Sequence, residues 1–207
     1  QIPYAQPPVG SLRWKAPRIL ESDTKNFKAT KFGNACPQRE SVSIEKKGKG
    51  EYVGSEDCLF LNVFTPKNIS NEKKLPVMFW IHGGGNTSGE SGSYDFSKLS
   101  DAHDLIIVSI NYRLGFLGWF YHPSFSETSN SLEDRSGNFG TLDQILALNW
   151  VEKNIEDFGG DKNNVTIFGE SAGGHNVFAL LSSPLAKGLF HKAISQKLNK
   201  HSILFDW

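Results

Sequence analysis

Ser171, at the centre of Gly169-Glu170-Ser171-Ala172-Gly173, is the side chain best placed to do chemistry. It follows the apolar run Val165-Thr166-Ile167-Phe168 and precedes a helical pattern. That is the sequence form of a nucleophile elbow, a serine held at the tip of a strand-to-helix turn. Such a turn strains the backbone at the serine and brings the incoming strand close to the outgoing helix. A Cβ on Gly169 or Gly173 would collide there, so both flanking positions need glycine or a residue almost as small. The five-residue pattern alone is weak; its strand-before, helix-after setting makes it specific.

A second motif supplies what a serine nucleophile needs. Acyl transfer builds negative charge on a carbonyl oxygen, and backbone N–H groups fixed in advance stabilise it. His82-Gly83-Gly84-Gly85 follows the apolar run Pro76-Val77-Met78-Phe79-Trp80-Ile81. A glycine run there lets the chain pass close to a substrate with its amides turned inward. Taken singly, a glycine triplet reads equally well as a flexible turn. Two such motifs in this order, each ending an apolar run, point to acyl transfer at serine.

The elements that must position these motifs are legible from periodicity. Leu59–Phe64, Pro76–Ile81, Leu105–Ile110 and Val165–Phe168 have the length and composition of strands. Those apolar on both faces suit parallel strands inside a sheet. Leu142, Ile145, Leu146, Leu148, Trp150, Val151 and Ile155 recur at helical spacing, and Phe158-Gly159-Gly160 stops that helix. A helix is predicted over Ala172–Ser182, ended by Pro184, and one more short strand at His191–Ser195. Strands alternating with helices predict an α/β fold with a mostly parallel sheet. Residues 1–57, rich in Pro, Gly and charge, read as irregular structure and short strands over the core. No repeat or low-complexity linker divides the chain, which reads as one domain.

Composition narrows the partners. The 22 basic and 22 acidic residues cancel, and no basic stripe favours nucleic acid or an acidic membrane surface. The apolar runs are strand-sized rather than membrane-spanning. Gln1-Ile2-Pro3-Tyr4 has neither the charged nor the apolar region of a signal peptide. Nothing resembles a metal-ligand cluster or a dinucleotide loop, so no cofactor is expected. Cys36 and Cys58 flank a polar stretch, Glu45–Gly50. They read either as two buried thiols or as a disulfide closing a surface loop in an oxidising compartment.

Other candidates take quieter roles. Glu170 is expected to leave the turn on the side away from Ser171 and to support the site rather than act as its acid. His175 points away from a useful base position, and His191 starts a strand. Trp80 and Trp150 read as core, while Trp119 either lines a substrate gorge or fills space. Asn68, Asn86 and Asn164 head N-glycosylation sequons; Asn86, abutting the glycine loop, is the poorest acceptor of the three.

The chain resembles the type-B carboxylesterases, the group that includes the cholinesterases. The matching segments are Ile2-Pro3-Tyr4-Ala5, Pro7-Pro8-Val9-Gly10, Leu12-Arg13-Trp14, Ser55–Asn62, His82–Gly85, Asn111–Gly115, Asp143-Gln144 with Ala147-Leu148, Phe158–Asp161 and Phe168–Gly174. The resemblance implies an α/β-hydrolase fold, with residues 1–207 the N-terminal part of a single catalytic domain and 197–207 an unmatched tail. It implies Ser171 as nucleophile, the backbone amides of Gly84, Gly85 and Ala172 as oxyanion hole, and a Cys36–Cys58 disulfide. It further implies two buried structural ion pairs, Arg13 with Glu56 and Arg113 with Asp143. The substrate would be a small carboxylic ester, with no cofactor, in a secretory or periplasmic setting.

One part of the pattern is absent. In this fold the acid and the histidine follow the serine, and nothing after Gln196 matches them. His201 precedes Asp206, the reverse order. The expectation is therefore a serine esterase domain whose base and acid are missing from these residues, with the His191–Ser195 strand left as an open, aggregation-prone sheet edge. The rival reading is an inactive fragment, or a binding or adhesion module like the neuroligin-type relatives that keep this fold. Retention of both Ser171 and the glycine loop favours the esterase.

Overall fold

The computed structural model describes residues 1–20, 28–40, 50–69, 73–198 and 201–206. In chain order the elements are β1 (Ile2–Pro3), β2 (Gln38–Arg39), β3 (Tyr52–Val53), β4 (Phe60–Phe64), β5 (Leu75–Ile81), α1 (Ser97–His103) and β6 (Ile106–Ile110). Then come α2 (Gly115–Gly118), α3 (Phe125–Thr128), α4 (Leu132–Arg135), α5 (Phe139–Asn154), β7 (Gly160–Glu170), α6 (Ala172–Ser182), β8 (Lys192–Leu198) and β9 (His201–Asp206).

Seven strands form one sheet in the order β1-β4-β6-β5-β7-β8-β9. The centre, β6-β5-β7-β8, is parallel, and antiparallel strands flank it on both sides. Burial on both faces explains the unbroken apolar sequence of the central strands. Val77, Phe79 and Ile81 point into the larger core, together with Ile145, Leu148 and Val151 of α5. Trp80, Ile107 and Phe168 pack on the opposite face against Tyr94 and Phe96. The register between β5 and β7 shifts at Leu75/Val77, where Pro76 has no N–H to give the ladder.

The predicted central elements are present, most with small changes of boundary, while the Val165–Phe168 strand is far longer than expected. α5 starts earlier than its apolar periodicity, at Phe139, and ends in a 3₁₀ turn at Ile155–Phe158 before Gly159 at φ 81°. β7 begins at Gly160 and runs directly into the elbow.

Two expectations are corrected. The strand after the elbow helix is not an open edge, because β9 pairs antiparallel with β8 from Lys192↔Asp206 to Leu198↔His201. The physical reason is that an unpaired edge offers a ladder of free backbone groups, and the residues just beyond it, Ser202-Ile203-Leu204-Phe205, have strand composition. The Arg13–Glu56 pair is not buried: its side chains are 40% and 26% exposed. Arg13 follows a turn at Gly10–Leu12 that buries none of its residues, so the pair stays at the surface.

Among the described residues no helix is long and apolar enough to cross a membrane.

Candidate active site

Ser171 sits between β7 and α6 with φ 56° and ψ −119°. A side-chain-bearing residue in that region stores roughly 1–3 kcal/mol of strain and persists only when its surroundings hold it. Here they do. The Ser171 N–H donates to Gln196 O of β8 at 3.1 Å, and Ser171 O accepts from His175 N at 3.0 Å inside α6. A Cβ on Gly169 would come within 2.5 Å of the Gly173 carbonyl group, and one on Gly173 would run into Ile81 O. Strand, turn and helix are thus packed backbone to backbone, as the flanking glycines required.

The glycine loop lies beside this turn. A Cβ placed on Gly83 would stand 2.7 Å from Glu170 O and 3.3 Å from Ser171 Cβ. Parallel pairing of β5 with β7, down to Ile81↔Gly169, brings the ends of the two strands together. Gly84 and Gly85 take φ 99° and 65°, and at Gly84 a side chain would also strike Ser88 O. Gly84 O accepts from Thr87 N at 3.1 Å and Ser88 N at 3.0 Å, folding the loop into a turn. Among the described residues, the N–H groups of Gly84 and Gly85 donate to no backbone carbonyl.

Burial lowers the pKa of His82, which opens the loop, to about 4, with the Gly83 hydrogen bond pulling the other way. Its Nδ1 is 2.8 Å from Gly83 O, so the ring is neutral and carries its proton there. The ring stacks on Tyr112 at 4.4 Å. His82 therefore packs the loop in place and holds no proton for exchange with substrate.

The remaining sequence candidates fall as follows. The Glu170 carboxylate lies against Gly83, with an oxygen 3.1 Å from where a Cβ there would stand. His175 is exposed on α6. His191 Nδ1 accepts from Val165 N at 3.1 Å, fastening β7. The side chains of His201 and Asp206 lie outside the described residues. Trp119 packs partly buried on the core and donates to Thr141 Oγ1 at 3.3 Å.

Arg113 and Asp143 form a fully buried fork, 2.6 and 2.8 Å. Asp143 also accepts Arg113 N at 3.0 Å. Burial opposes the Arg113 charge, but Asp143 offsets this and raises its pKa. Arg113 further donates to Lys15 O at 2.8 Å, tying the N-terminal segment to α5. Cys36 and Cys58 are disulfide-bonded with Cα atoms 5.0 Å apart.

Sequence reasoning missed three residues around the loop, Asn86, Tyr112 and Asn176. Tyr112 OH donates to His82 O at 2.5 Å, and the two asparagines bond one another. Tyr112 falls inside a motif read only as a family mark and Asn176 within the helix predicted over Ala172–Ser182, and no local pattern joins positions so far apart in the chain.

A strained serine between a parallel strand and a helix, beside a glycine loop at the end of the neighbouring strand, defines an α/β hydrolase. Comparison with known proteins narrows the class. The carboxylesterase family model matches residues 1–202. The medium-chain fatty acyl-CoA hydrolase precursor of Anas platyrhynchos is 44% identical, covering 99% of this chain and 36% of its own length. The para-nitrobenzyl esterase of Bacillus subtilis is 48% identical, covering 94% and 38%. A solved "thermophylic PNB esterase" superposes with a TM-score of 0.82 at 46% identity, covering 94% and 39%. The chain belongs to the carboxylesterase family, and it spans under two fifths of the length of these relatives.

Proposed function

We propose that the protein hydrolyses carboxylic esters through an acyl-serine intermediate on Ser171. The observation that supports this reading is the strained Ser171 backbone, whose Cβ packs against Gly83 at the start of the glycine loop. Ser171 Oγ would bond to the ester carbonyl carbon while its proton passes to a base. The negative oxygen would rest on the N–H groups of Gly84, Gly85 and Ala172, the last also at the positive end of α6. Collapse expels the alcohol, which takes up that proton, and water repeats the sequence to release the acid.

The base and its carboxylate come, in this reading, from chain outside these 207 residues. His82 is buried and neutral, and His191 holds β7. Without that base Ser171 stays a neutral hydroxyl, so these residues alone would be inactive. The disulfide fits maturation in an oxidising, secretory-type compartment. Arg113–Asp143 would hold the scaffold and take no part in chemistry.

The test is p-nitrophenyl ester turnover and organophosphate labelling of a full-length protein carrying this sequence. Wild-type protein is expected to turn over and to be labelled on Ser171, and Ser171→Ala to do neither. Turnover retained in Ser171→Ala removes the assignment.

A further inference from the structure

We propose that Asn86 and Asn176 form a clasp that positions the oxyanion loop on the nucleophile helix. This rests on the roles given above to Ser171, Gly84 and Gly85.

Asn176 lies on α6, the helix that Ser171 opens, and is 4% exposed. Asn86 directly follows Gly85 and takes the left-handed region at φ 58°, which asparagine tolerates better than most side chains. Asn176 Nδ2 donates to Asn86 Oδ1 at 2.9 Å, and Asn86 Nδ2 donates back to Asn176 Oδ1 at 3.4 Å. Asn86 O also accepts Gly115 N at 2.7 Å. At the other end of the loop Tyr112 holds His82 O, and burial keeps its phenol protonated as a donor. The same hydroxyl lies 3.5 Å from Asn86 Oδ1.

The loop is thus bracketed. Gly84 and Gly85, both at positive φ and exposed, have no side chains to anchor them. Their amide directions are set by what holds His82 and Asn86. The near end of the loop, at His82 O, already lies against Gly173 of the helix carrying Ser171. The asparagine pair ties the far end, just past Gly85, to the same helix, and so fixes the amides relative to the reacting oxygen. Misplacement of such a group by about 1 Å can cost on the order of 100-fold in rate. Because the amides act most strongly on the transition state, the loss falls on kcat rather than KM.

The experiment is steady-state kinetics of the full-length protein on p-nitrophenyl acetate, with Asn176→Ala, Asn86→Gly and their combination. Glycine at position 86 keeps the left-handed backbone and removes only the side chain. Each single variant is expected to lower kcat roughly 10- to 100-fold with KM within about two-fold. The double variant should fall no lower than the worse single, since one interaction is lost once. Asn86→Asp, which keeps the oxygen that accepts at 2.9 Å, should lose less than Asn86→Gly. Organophosphate should still label Ser171 fully, though more slowly, showing the nucleophile intact. Wild-type kcat in folded single variants, a loss confined to KM, or losses that multiply in the double variant each overturn the clasp. If Asn176→Ala does not fold, Asn86→Gly against Asn86→Asp decides alone. Activity surviving in Ser171→Ala would instead sink the nucleophile assignment, so the two failures are distinct.

Discussion

The elbow and the glycine loop meet at the same point, yet they are held in different ways. At the elbow backbone packs on backbone: Gly169 against Gly173, Gly173 against Ile81, and Ser171 N–H on the next strand. Its strain is offset by a sheet and a helix that cannot shift independently. The glycine loop is exposed at Gly84 and Gly85 and is held from outside, by Tyr112, Asn176 and the Gly115 amide. In the proposed reading, a site built this way would have a rigid nucleophile and adjustable electrostatics. Substitutions at the elbow should abolish function or folding, whereas those around the loop should scale it.

The largest expected effect comes from Ser171→Ala, which should lower ester turnover by at least about 10⁴-fold with unfolding unchanged. A small effect would mean the elbow is not the rigid half of a catalytic pair.

Gly173→Ala should come next, costing over about 3 kcal/mol because its Cβ meets the Ile81 carbonyl rather than a movable side chain. Denaturant unfolding measures it, and a variant as stable as the parent would show that the elbow packing can relax.

Gly84→Ala, at φ 99° and striking Ser88 O in an exposed loop that can yield more readily than the elbow, should cost less stability than Gly173→Ala and lower kcat about 100- to 1,000-fold. Loss of fold instead would erase the contrast between the two regions.

Replacing Cys36 and Cys58 together by serine should cost roughly 3 kcal/mol in the chain-entropy model without changing kcat. An unchanged unfolding midpoint under oxidising conditions would refute a stabilising role.

The most gradual effect is in pH dependence. His82 in the fold titrates near 4 against 6.5 when free, so as pH falls below 6.5 the unfolded chain takes up a proton that the folded one refuses. Stability should be unaffected by this group above 6.5 and decline by at most about 1.4 kcal/mol per pH unit towards 4. Unfolding midpoints across that range test it, and a slope unchanged in His82→Gln would assign it elsewhere.

Much of the scaffold was readable because its signals are local. β5, β6, α5 and α6 follow from runs and periodicities within single segments, and Ser171 from its place between two of them. The short strands β1, β2 and β3 were not resolved within the irregular N-terminal region. They exist through pairing with distant partners, as Ile2 does with Leu61. The edge at β8 was misread for the same reason: Ser202–Phe205 has strand composition, but that it returns to pair with β8 is a matter of tertiary register. Arg13 and Arg113 looked alike in sequence and differ in burial: Arg113 is closed in against Asp143 of α5, while the side chain of Arg13 stays 40% exposed.

By itself the sequence determined the order of strands and helices, the glycines where backbones must touch, and the serine between them. These depend on side-chain pattern and backbone sterics over a few residues. Only the tertiary structure decided that the glycine loop sits against the elbow, that Asn86 meets Asn176, and that β9 completes the sheet. Those contacts join residues far apart in the chain, and their geometry exists only once the parallel sheet has brought the strand ends together.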